Sequence, residues 1–394
     1  MKILLYARAF HPMVGGIETV SATMAGLFNQ LGHECSVLTP VENSAPDPFS
    51  YRVHRNPGLL KTLKLVRAAD IVISKGASMA MIPYCLLLCR PFIWIHSGYQ
   101  ASCIDGLGWV EGEAAPLTPN ASIAFHYQRS GVRYATIAAL KLYLRRFACR
   151  HIVAMNVAVT DWVAMRQPFA KQIRIYNPFP IYRFAHAGQA RKQRYDFFYL
   201  GRLVSEKGVA TLVRAFDLVV RQHPHDALNL LIIGDGSWRY KIEALVSELA
   251  LADRVVFAGR KTGTELVELI QQCAVAVVPS EWEEAMGGVA LELLAAGKPV
   301  IASKRGGLAE CVGDAGLLFE NGDHKQLAAC MSRLHHDEAL RNVLLQKTSE
   351  QVKRFDPEKL AKQYIDLFNR VLGREELQTI QASQFEASEQ LPSA

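Results

Sequence analysis

The sequence contains no long apolar run, and this absence excludes an ordinary membrane-spanning protein. The best candidate for a membrane span, 77–89, is interrupted by Pro83 and closed by Arg90. Arg8 breaks the short apolar run after Lys2 before any cleavage-site pattern, so we expect no signal peptide. The eight cysteines are scattered rather than arranged in pairs, which is typical of free thiols in a reducing compartment. These features predict a cytoplasmic protein.

Three kinds of ligand motif are also missing from the chain. No Asp-x-Asp pair occurs, although an enzyme that holds a nucleotide diphosphate through a metal ion typically needs such carboxylates, so we expect no metal requirement. The Gly-x-Gly-x-x-Gly fingerprint of nicotinamide dehydrogenases is absent. No nucleic-acid-binding motif accompanies the basic residues, so nucleic acid is not an expected partner.

The formal net charge of +7 is unevenly distributed along the chain. Residues 1–190 contain 19 Lys and Arg against 9 Asp and Glu, whereas 191–394 contain 25 against 28. The first half is therefore basic, and the second is slightly acidic. A basic half is suited to an anionic surface or to an anionic acceptor molecule.

Both halves of the sequence read as alternating strands and helices. The strand candidates are 3–6, 36–39, 71–74, 93–96, 152–155, 173–176, 197–200, 230–233, 255–257, 275–278, 300–302 and 317–319. The helix candidates are 17–31, 137–148, 209–221, 240–249, 264–272, 289–296 and 356–373. Apolar strands that alternate with helices predict an α/β fold with two doubly wound parallel sheets.

The alternation also suggests where the domains meet. The run Asn-Pro-Phe-Pro at 177–180 interrupts the pattern, and the basic, polar stretch after it predicts an interdomain linker. We therefore expect one domain at 1–185 and a second at 190–355. The predicted helix at 356–373 could cross back to the first domain, and 374–394 reads as a polar tail.

Two glutamates follow one of the predicted buried strands, 275–278. Glu284 lies in the loop after the strand, and Glu292 lies about one turn inside the next helix. Gly287 and Gly288 begin that helix, and their amides are expected to face outward as an anion site. A carboxylate beside an anion site repels the anion unless it binds hydroxyl groups instead. The combination suits a ligand that has both phosphates and sugar hydroxyls.

Two cations follow the first strand of the second half. Arg202 and Lys207 lie in a loop bounded by Gly201 and Gly208. Such a loop at the carboxyl edge of a sheet can neutralise a diphosphate, with arginine binding as a fork and lysine as a point charge. The alternative is a solvated surface loop.

These motifs resemble those of the family 4 retaining glycosyltransferases, which have the GT-B fold. The resemblance is carried by the Glu-x7-Glu spacing of Glu284 and Glu292, by Gly-Arg-Leu-Val-Ser-Glu-Lys-Gly at 201–208, by Gly-Gly-Leu-Ala-Glu at 306–310 and by Gly-Gly-Ile-Glu at 15–18. The four motifs occur in the family's order. The resemblance implies a GT-B protein with two Rossmann-like domains facing each other across a cleft.

The resemblance also implies an activity, that of a hexosyl-type retaining glycosyltransferase without cofactor or metal. Its donor would be a UDP- or GDP-linked sugar bound by the second domain. Glu292 would bind the ribose, Glu284 the transferred sugar, and Arg202 and Lys207 the diphosphate. The first domain would present an acceptor hydroxyl from a glycan or lipid-linked molecule, as in cell-envelope polysaccharide, lipopolysaccharide or glycolipid biosynthesis.

Further donor contacts follow from the resemblance, each with an alternative. Gly15 and Gly16 would face the donor diphosphate, or they could simply begin a capped helix. His96 would contact the donor sugar, or it could be a satisfied core histidine. Arg260 would contact the base, or it could be a surface charge. Gly234 would line the nucleotide side of the cleft, or it could be only a turn.

Two points stay open at the level of sequence. The fold and motifs also allow a sugar-nucleotide epimerase or hydrolase, or a non-catalytic sugar-nucleotide-binding protein. Basic residues recur beside apolar ones at 134–150, which predicts either a helix on an anionic membrane surface or a buried helix with a basic edge. The first interpretation implies peripheral attachment to the cytoplasmic membrane face.

Overall fold

The computed structural model describes residues 1–13, 15–76, 78–188 and 193–374. Strands of the first half are β1 (Lys2–Ala7), β2 (Glu34–Thr39), β3 (Val53–Arg55), β4 (Ile71–Lys75), β5 (Phe92–His96), β6 (Trp109–Val110), β7 (Glu113–Ala114), β8 (Met155–Ala158) and β9 (Gln172–Arg174). Its helices are α1 (Gly16–Gln30), α2 (Leu59–Ala68), α3 (Ile82–Leu87), α4 (Pro119–Ser130), α5 (Val132–His151) and α6 (Asp161–Arg166).

A 3-10 helix, Ile181–Gly188, precedes the second half. The strands there are β10 (Tyr195–Leu200), β11 (Leu230–Ile233), β12 (Val255–Gly259), β13 (Cys273–Val278), β14 (Val300–Ser303) and β15 (Gly316–Phe319). The helices are α7 (Val209–Gln222), α8 (Arg239–Glu248), α9 (Gly263–Gln271), α10 (Gly288–Ala295), α11 (Gly307–Val312), α12 (His324–His336), α13 (Glu338–Lys353) and α14 (Pro357–Val371).

Each half forms a parallel sheet whose strand order reverses in the middle. The first sheet has the order β3-β2-β1-β4-β5-β8-β9, and the second has the order β12-β11-β10-β13-β14-β15. β6 and β7 pair as a separate antiparallel hairpin. Helices cover both faces of each sheet, which explains why the strands are continuous apolar runs. The predicted α/β fold with two doubly wound sheets is confirmed.

The apolar core is shared between the halves. One cluster of buried side chains joins the inner face of the first sheet to α10, α11 and α14. One further cluster lies under the outer helices of the first sheet, and another lies under those of the second. α14 packs against α1, where the ring of Phe28 lies 6.3 Å from that of Tyr364 and 5.6 Å from that of Phe368. The last described helix therefore contacts the first half of the chain.

Short or irregular elements differ from the sequence-based prediction. The strand expected at 152–155 is wrong, because α5 runs to His151 and the amide of Val153 still bonds the carbonyl of Ala148. β3 and the β6–β7 hairpin were not predicted. The exact domain bounds remain a prediction, and the polar tail expected at 374–394 lies outside the described residues except for Arg374.

Candidate active site

The second sheet has a crevice at its carboxyl edge, where the order of strands reverses. β10 and β13 lie side by side at this point, but the loops that follow them lead to helices on opposite faces. Ligands of doubly wound sheets bind in such a crevice. The loop after β10 contains Arg202 and Lys207, and the loop after β13 contains Glu284. The topology therefore brings together residues that are about 80 positions apart in the sequence.

Glycine keeps the backbones of these two loops in close contact. Gly208 has a φ of 65°, in the left-handed region that favours glycine. A β-carbon at Gly208 would overlap the carbonyl oxygen of Pro279 in the other loop. This close approach fixes the end of the loop that carries Arg202 and Lys207 against the loop that carries Glu284.

An ion pair joins the two loops inside the crevice. The Lys207 ammonium donates to Glu284 Oε1 at 2.7 Å, and the hydroxyl of Ser280 donates to the same oxygen. Glu284 is buried, and Lys207 retains 21% of its side-chain exposure. The carboxylate therefore holds the lysine in place, while the lysine keeps further hydrogens available for a ligand.

Arg202 is at the mouth of the crevice. Its side chain is 66% exposed, and it lies 3.7 Å from the carboxylate of Glu206. An exposed pair at this distance restrains the guanidinium only weakly. Arg202 is thus free to turn toward an anion in the crevice.

Glu292 lies on α10 in a largely apolar environment. Burial raises the pKa of its carboxyl to about 7, and the nearby charge of Arg183 opposes that shift. The Arg183 guanidinium donates to Glu292 Oε2 at 3.4 Å. Sequence reasoning missed Arg183, because it lies in the linker and reaches α10 only in the folded chain.

The two glycines at the start of α10 differ in environment. The amide of Gly287 donates to Cys311 Sγ at 3.3 Å, so the expectation that both amides face the crevice is wrong for Gly287. A β-carbon at Gly288 would overlap the ring of Phe179, and the same ring lies 4.0 Å from the β-carbon position of Gly16. The linker ring thus lies between the two glycine-rich loops, which brings Gly16 close to Gly288.

The glycine-rich loop of the first half already carries a carboxylate. The side chain of Glu18 folds back so that its Oε2 lies 2.5 Å from the β-carbon position of Gly15. Lys75, at the end of β4, is fully buried, and its ammonium donates to Asn177 Oδ1 at 2.9 Å. Burial lowers the pKa of Lys75, and the charge of Glu18 opposes this shift. Sequence reasoning missed Lys75, because it ends an apolar strand without a recognisable motif.

His96 lies apart from the crevice. Its ring stacks between those of Trp94 and Phe169, and its Nε2 lies 2.9 Å from Asn156 Oδ1. Burial lowers the pKa of His96 to about 4, with the Asn156 hydrogen bond opposing this shift. Alternation along β5 turns this side chain toward the outer face of the sheet. The position favours the alternative interpretation, a core histidine.

Gly234 and Arg260 follow the strands next to β10 at the same carboxyl edge. The amide of Gly234 bonds the carbonyl of Gly259 at 2.8 Å, which joins the ends of β11 and β12. Arg260 is exposed. Both residues lie beside the crevice, further from the reversal point than Arg202.

Carboxylates of the second half also bind the first half directly. Glu283 accepts from the Arg166 guanidinium at 2.6 Å and from the Trp162 ring nitrogen at 2.8 Å. Glu310 accepts from the amides of Trp162 at 2.7 Å and Asp161 at 3.0 Å, at the start of α6. Two acidic residues from the conspicuous motifs therefore join the halves of the molecule.

The β6–β7 hairpin makes a further contact between the halves. The ring nitrogen of Trp109 donates to the hydroxyl of Ser205 at 2.9 Å. Ser205 belongs to the loop that carries Arg202 and Lys207. The hairpin of the first half thus contacts the cation loop of the second.

Most of the second half is similar in sequence to known glycosyl transferases. Residues 183–351 match the family described as Glycosyl transferases group 1. The lipopolysaccharide core biosynthesis glycosyltransferase LpsD of Rhizobium meliloti is 37% identical over 44% of this chain and 49% of its own length. D-inositol 3-phosphate glycosyltransferase of Corynebacterium urealyticum is 32% identical over 43% of this chain and 42% of its own length. The chain spans less than half the length of these curated relatives.

Solved structures match nearly the whole chain. The structure of Anabaena Alr3699/HepE in complex with UDP and glucose has a TM-score of 0.71 and 17% identity, covering 94% of this chain and 100% of that one. WaaG, a glycosyltransferase involved in lipopolysaccharide biosynthesis, has a TM-score of 0.66 and 17% identity, covering 93% and 99%. The chain thus has the GT-B fold, and its residues 183–351 are similar to the glycosyl transferases of group 1.

Proposed function

We propose that this protein is a retaining glycosyltransferase of the family 4 type, which transfers a sugar from a UDP- or GDP-linked donor to an acceptor hydroxyl. The observation that carries the proposal is the Lys207–Glu284 pair at the strand-order reversal of the second sheet. A cation beside a carboxylate fits a ligand in which a phosphate adjoins sugar hydroxyls. The group 1 match over the same residues supports this assignment.

The donor would lie along the carboxyl edge of the second sheet. Glu292 would accept hydrogen bonds from the ribose hydroxyls, and Glu284 from hydroxyls of the transferred sugar. Arg202 and Lys207 would bind the diphosphate, with the N-terminus of α10 at Gly288 beside it. Gly234 and Arg260 would border the nucleotide, whereas Gly15 and Gly16 would close the cleft from the first half.

Transfer with retention fits the groups in the crevice. The bond between the sugar's anomeric carbon and the phosphate oxygen breaks, and the acceptor oxygen bonds to that carbon on the same face. The acceptor's proton passes to the departing phosphate oxygen. Arg202 and Lys207 would stabilise the negative charge that develops there, which is commonly the largest catalytic contribution. The contacts between the halves would exclude water from this step.

The donor can be identified by measuring thermal stability with UDP-, GDP- and ADP-linked sugars. We expect one nucleotide class to raise the melting temperature, because a ligand that binds only the folded chain stabilises it. Donor consumption should then depend on an acceptor. Consumption at the same rate without acceptor would instead indicate a hydrolase or epimerase. Binding without any consumption would indicate a sugar-nucleotide-binding protein.

Sugar transfer should continue in excess EDTA. The basis is the sequence, which offers two cations in the cleft loop and no Asp-x-Asp pair to hold a metal ion at a diphosphate. The measurement is the transfer rate before and after chelation, well below the melting temperature. Complete loss of transfer that Mg²⁺ or Mn²⁺ restores would contradict the assignment of the diphosphate to Arg202 and Lys207.

We further propose that the acceptor is a lipid-linked or envelope glycan at the cytoplasmic membrane face. The curated name of LpsD and the description of WaaG concern lipopolysaccharide synthesis, which supports this class of acceptor. None of the helices in the described part of the chain combines the length and the apolar character that crossing a membrane requires. Under this proposal, an exposed apolar and basic face of the protein would make the peripheral attachment.

Helix α5 offers such a surface. The apolar side chains of Leu140, Leu144 and Phe147 follow one another at intervals of four and three residues along this helix. All three are exposed, with Leu140 at 62% and Phe147 at 56%. A cavity of about 700 Å³ opens beside them, between α5 and the start of α4. Lys141 and Arg150 are exposed on the same helix. Exposed apolar residues flanked by basic ones fit an anionic lipid surface.

The structure changes which basic residues suit a membrane test. Arg145 and Arg146 donate to the carbonyls of Gln100 and Ala101, at 3.4 and 2.7 Å, so their replacement would disturb the fold. Replacing Lys141 and Arg150 with serine leaves that loop intact. Lys141 and Arg150 are therefore better suited to a membrane test than Arg145 and Arg146.

Binding to anionic vesicles should fall as salt rises, and it should weaken in the double variant Lys141→Ser/Arg150→Ser. Each basic residue near an anionic surface contributes about 1 kcal/mol. Co-sedimentation with liposomes measures this, and Arg214→Ser/Lys347→Ser, which removes two exposed cations on α7 and α13, is the matched control. Equal recovery with anionic and neutral vesicles at low salt would remove the membrane proposal and leave the transferase proposal intact.

A further inference from the structure

Histidine and aspartate side chains converge on the outer surface of the second half. His223 follows α7, and Asp226 lies in the turn after it, where its amide bonds the His223 carbonyl at 3.1 Å. His335 and His336 are the last two residues of α12, which packs beside α7. Sequence analysis named no metal ligand here, because the two groups are more than 100 positions apart.

The spacing of the ligand atoms fits a metal ion. His336 Nε2 lies 3.2 Å from Nδ1 and 3.3 Å from Nε2 of His223, and 4.0 Å from Asp226 Oδ2. One such atom from each of the three residues lies within 4.8 Å of the others. In a tetrahedral zinc site with bonds of about 2.0–2.1 Å, neighbouring nitrogens lie about 3.3 Å apart. The imidazoles already have this separation, and the carboxylate needs only a small shift.

Neighbouring groups select which atoms are available. The Ser332 hydroxyl lies 3.3 Å from His223 Nε2, so a proton on Nε2 would leave Nδ1 as the free ligand atom. His335 Nε2 lies 3.4 Å from Asp226 Oδ2 and orients that carboxylate. Metal-binding histidines and carboxylates commonly have such supporting partners.

We propose that His223, Asp226 and His336 form a binding site for Zn²⁺. Two imidazoles and one carboxylate suit a borderline divalent ion rather than Mg²⁺ or Ca²⁺, which prefer oxygen ligands. His336 is exposed and the other two are half-buried, so a water molecule can complete the coordination.

The zinc site would be structural rather than catalytic. α7 begins at the crevice beside Gly208 and ends at this cluster. A helix of 14 residues is about 21 Å long, so the site is at the opposite edge of the sheet from the crevice. Bound zinc would join the turn after α7 to the end of α12 and stabilise the second half. The proposal uses no residue of the proposed active site and is independent of the proposed function.

The test uses the full chain without a histidine tag, after EDTA treatment and dialysis. We expect calorimetric titration with ZnCl₂ to show one dominant site and the melting temperature to rise on binding. His223→Asn and His336→Asn should each weaken binding by more than about 10-fold, and Ser332→Ala by about 10-fold, as supporting partners do. His225→Asn, an exposed histidine in the same turn, is the matched control and should bind normally.

Two outcomes would overturn the proposal. One is zinc binding of equal strength in the His223→Asn and His336→Asn variants, which would place the ion elsewhere. The other is no binding in the wild-type chain up to about 100 µM Zn²⁺, which would leave the two imidazoles sharing a proton. Circular dichroism of each metal-free variant separates loss of binding from loss of folding, and Co²⁺ absorption reports the coordination directly.

Discussion

Replacing Lys207 with alanine should lower kcat/KM of sugar transfer by about 10²–10³-fold, the scale of losing one donor that stabilises developing charge. The change also leaves the buried Glu284 carboxylate without the ammonium that donates to it at 2.7 Å. A misplaced carboxylate in the crevice would add to the loss. The measurement is steady-state transfer with saturating acceptor, beside Lys347→Ala on the exposed face of α13 as the control.

Arg202→Ala tests the other cation separately. Arg202 is exposed and only weakly paired, so its removal should lower kcat/KM on the same scale without affecting thermal stability. Arg214→Ala, an exposed arginine on α7, is the matched control. Activity within a few-fold of wild type in both the Lys207 and the Arg202 variants would refute their proposed role at the diphosphate.

Glutamine at position 284 should mainly lower kcat, by about 10²-fold, whereas glutamine at 292 should mainly raise the donor KM, by about 10-fold. The transferred sugar gains positive character only toward the transition state, so Glu284 stabilises that state preferentially. The ribose hydroxyls do not change during the transfer, so Glu292 contributes equally to both states. Steady-state kinetics with Glu248→Gln as a surface control decide this, and equal effects on both parameters in both variants would contradict the division.

The pH dependence of donor binding provides an independent test of Glu292. Burial raises its pKa to about 7, so the carboxylate becomes protonated, and a poorer acceptor, as the pH falls through that value. The donor KM should therefore rise below about pH 7 in the wild type and lose this inflection in Glu292→Gln. Arg183→Ala should move the inflection to higher pH, because Arg183 opposes the shift. An unchanged inflection in Glu292→Gln would assign it to another group.

The sequence was sufficient to predict the regular part of the fold. Strands such as β13 and β14 are buried on both faces, so their apolar runs are visible without tertiary information. The β6–β7 hairpin has two residues in each strand and exposed or half-buried side chains, so it has no periodic pattern to detect. The strand before β9 was predicted three residues too early, because Ile152 and Val153 are apolar like strand residues but follow the end of α5, where Ile152 is the C-cap.

Residues of the candidate site could be predicted only where a local motif in a single loop contains them. Arg202, Lys207 and Glu284 follow strands directly, so the topology determines their neighbourhood. Arg183 and Lys75 depend on contacts between distant segments, and no local pattern indicates them. His96 lies at the end of a strand as expected. Which face of the sheet its side chain occupies could not be predicted, because both faces of β5 are buried under apolar side chains. Glu283 and Glu310 share motifs with expected site residues yet bind the other half.

The position of Glu283 next to Glu284 has a mechanical consequence. The first carboxylate is held by Arg166 and Trp162 of the opposite half, and the second pairs with Lys207 in the donor crevice. Because the two residues are consecutive, one loop joins a contact between the halves to the ion pair in the crevice, while the amide of Gly307 holds the carbonyl of Glu284 at 2.7 Å. Under the proposed function, a movement of one half against the other would reach the donor crevice through this loop. Such a linkage would couple the closed arrangement of the two halves to the ion pair at the proposed donor site.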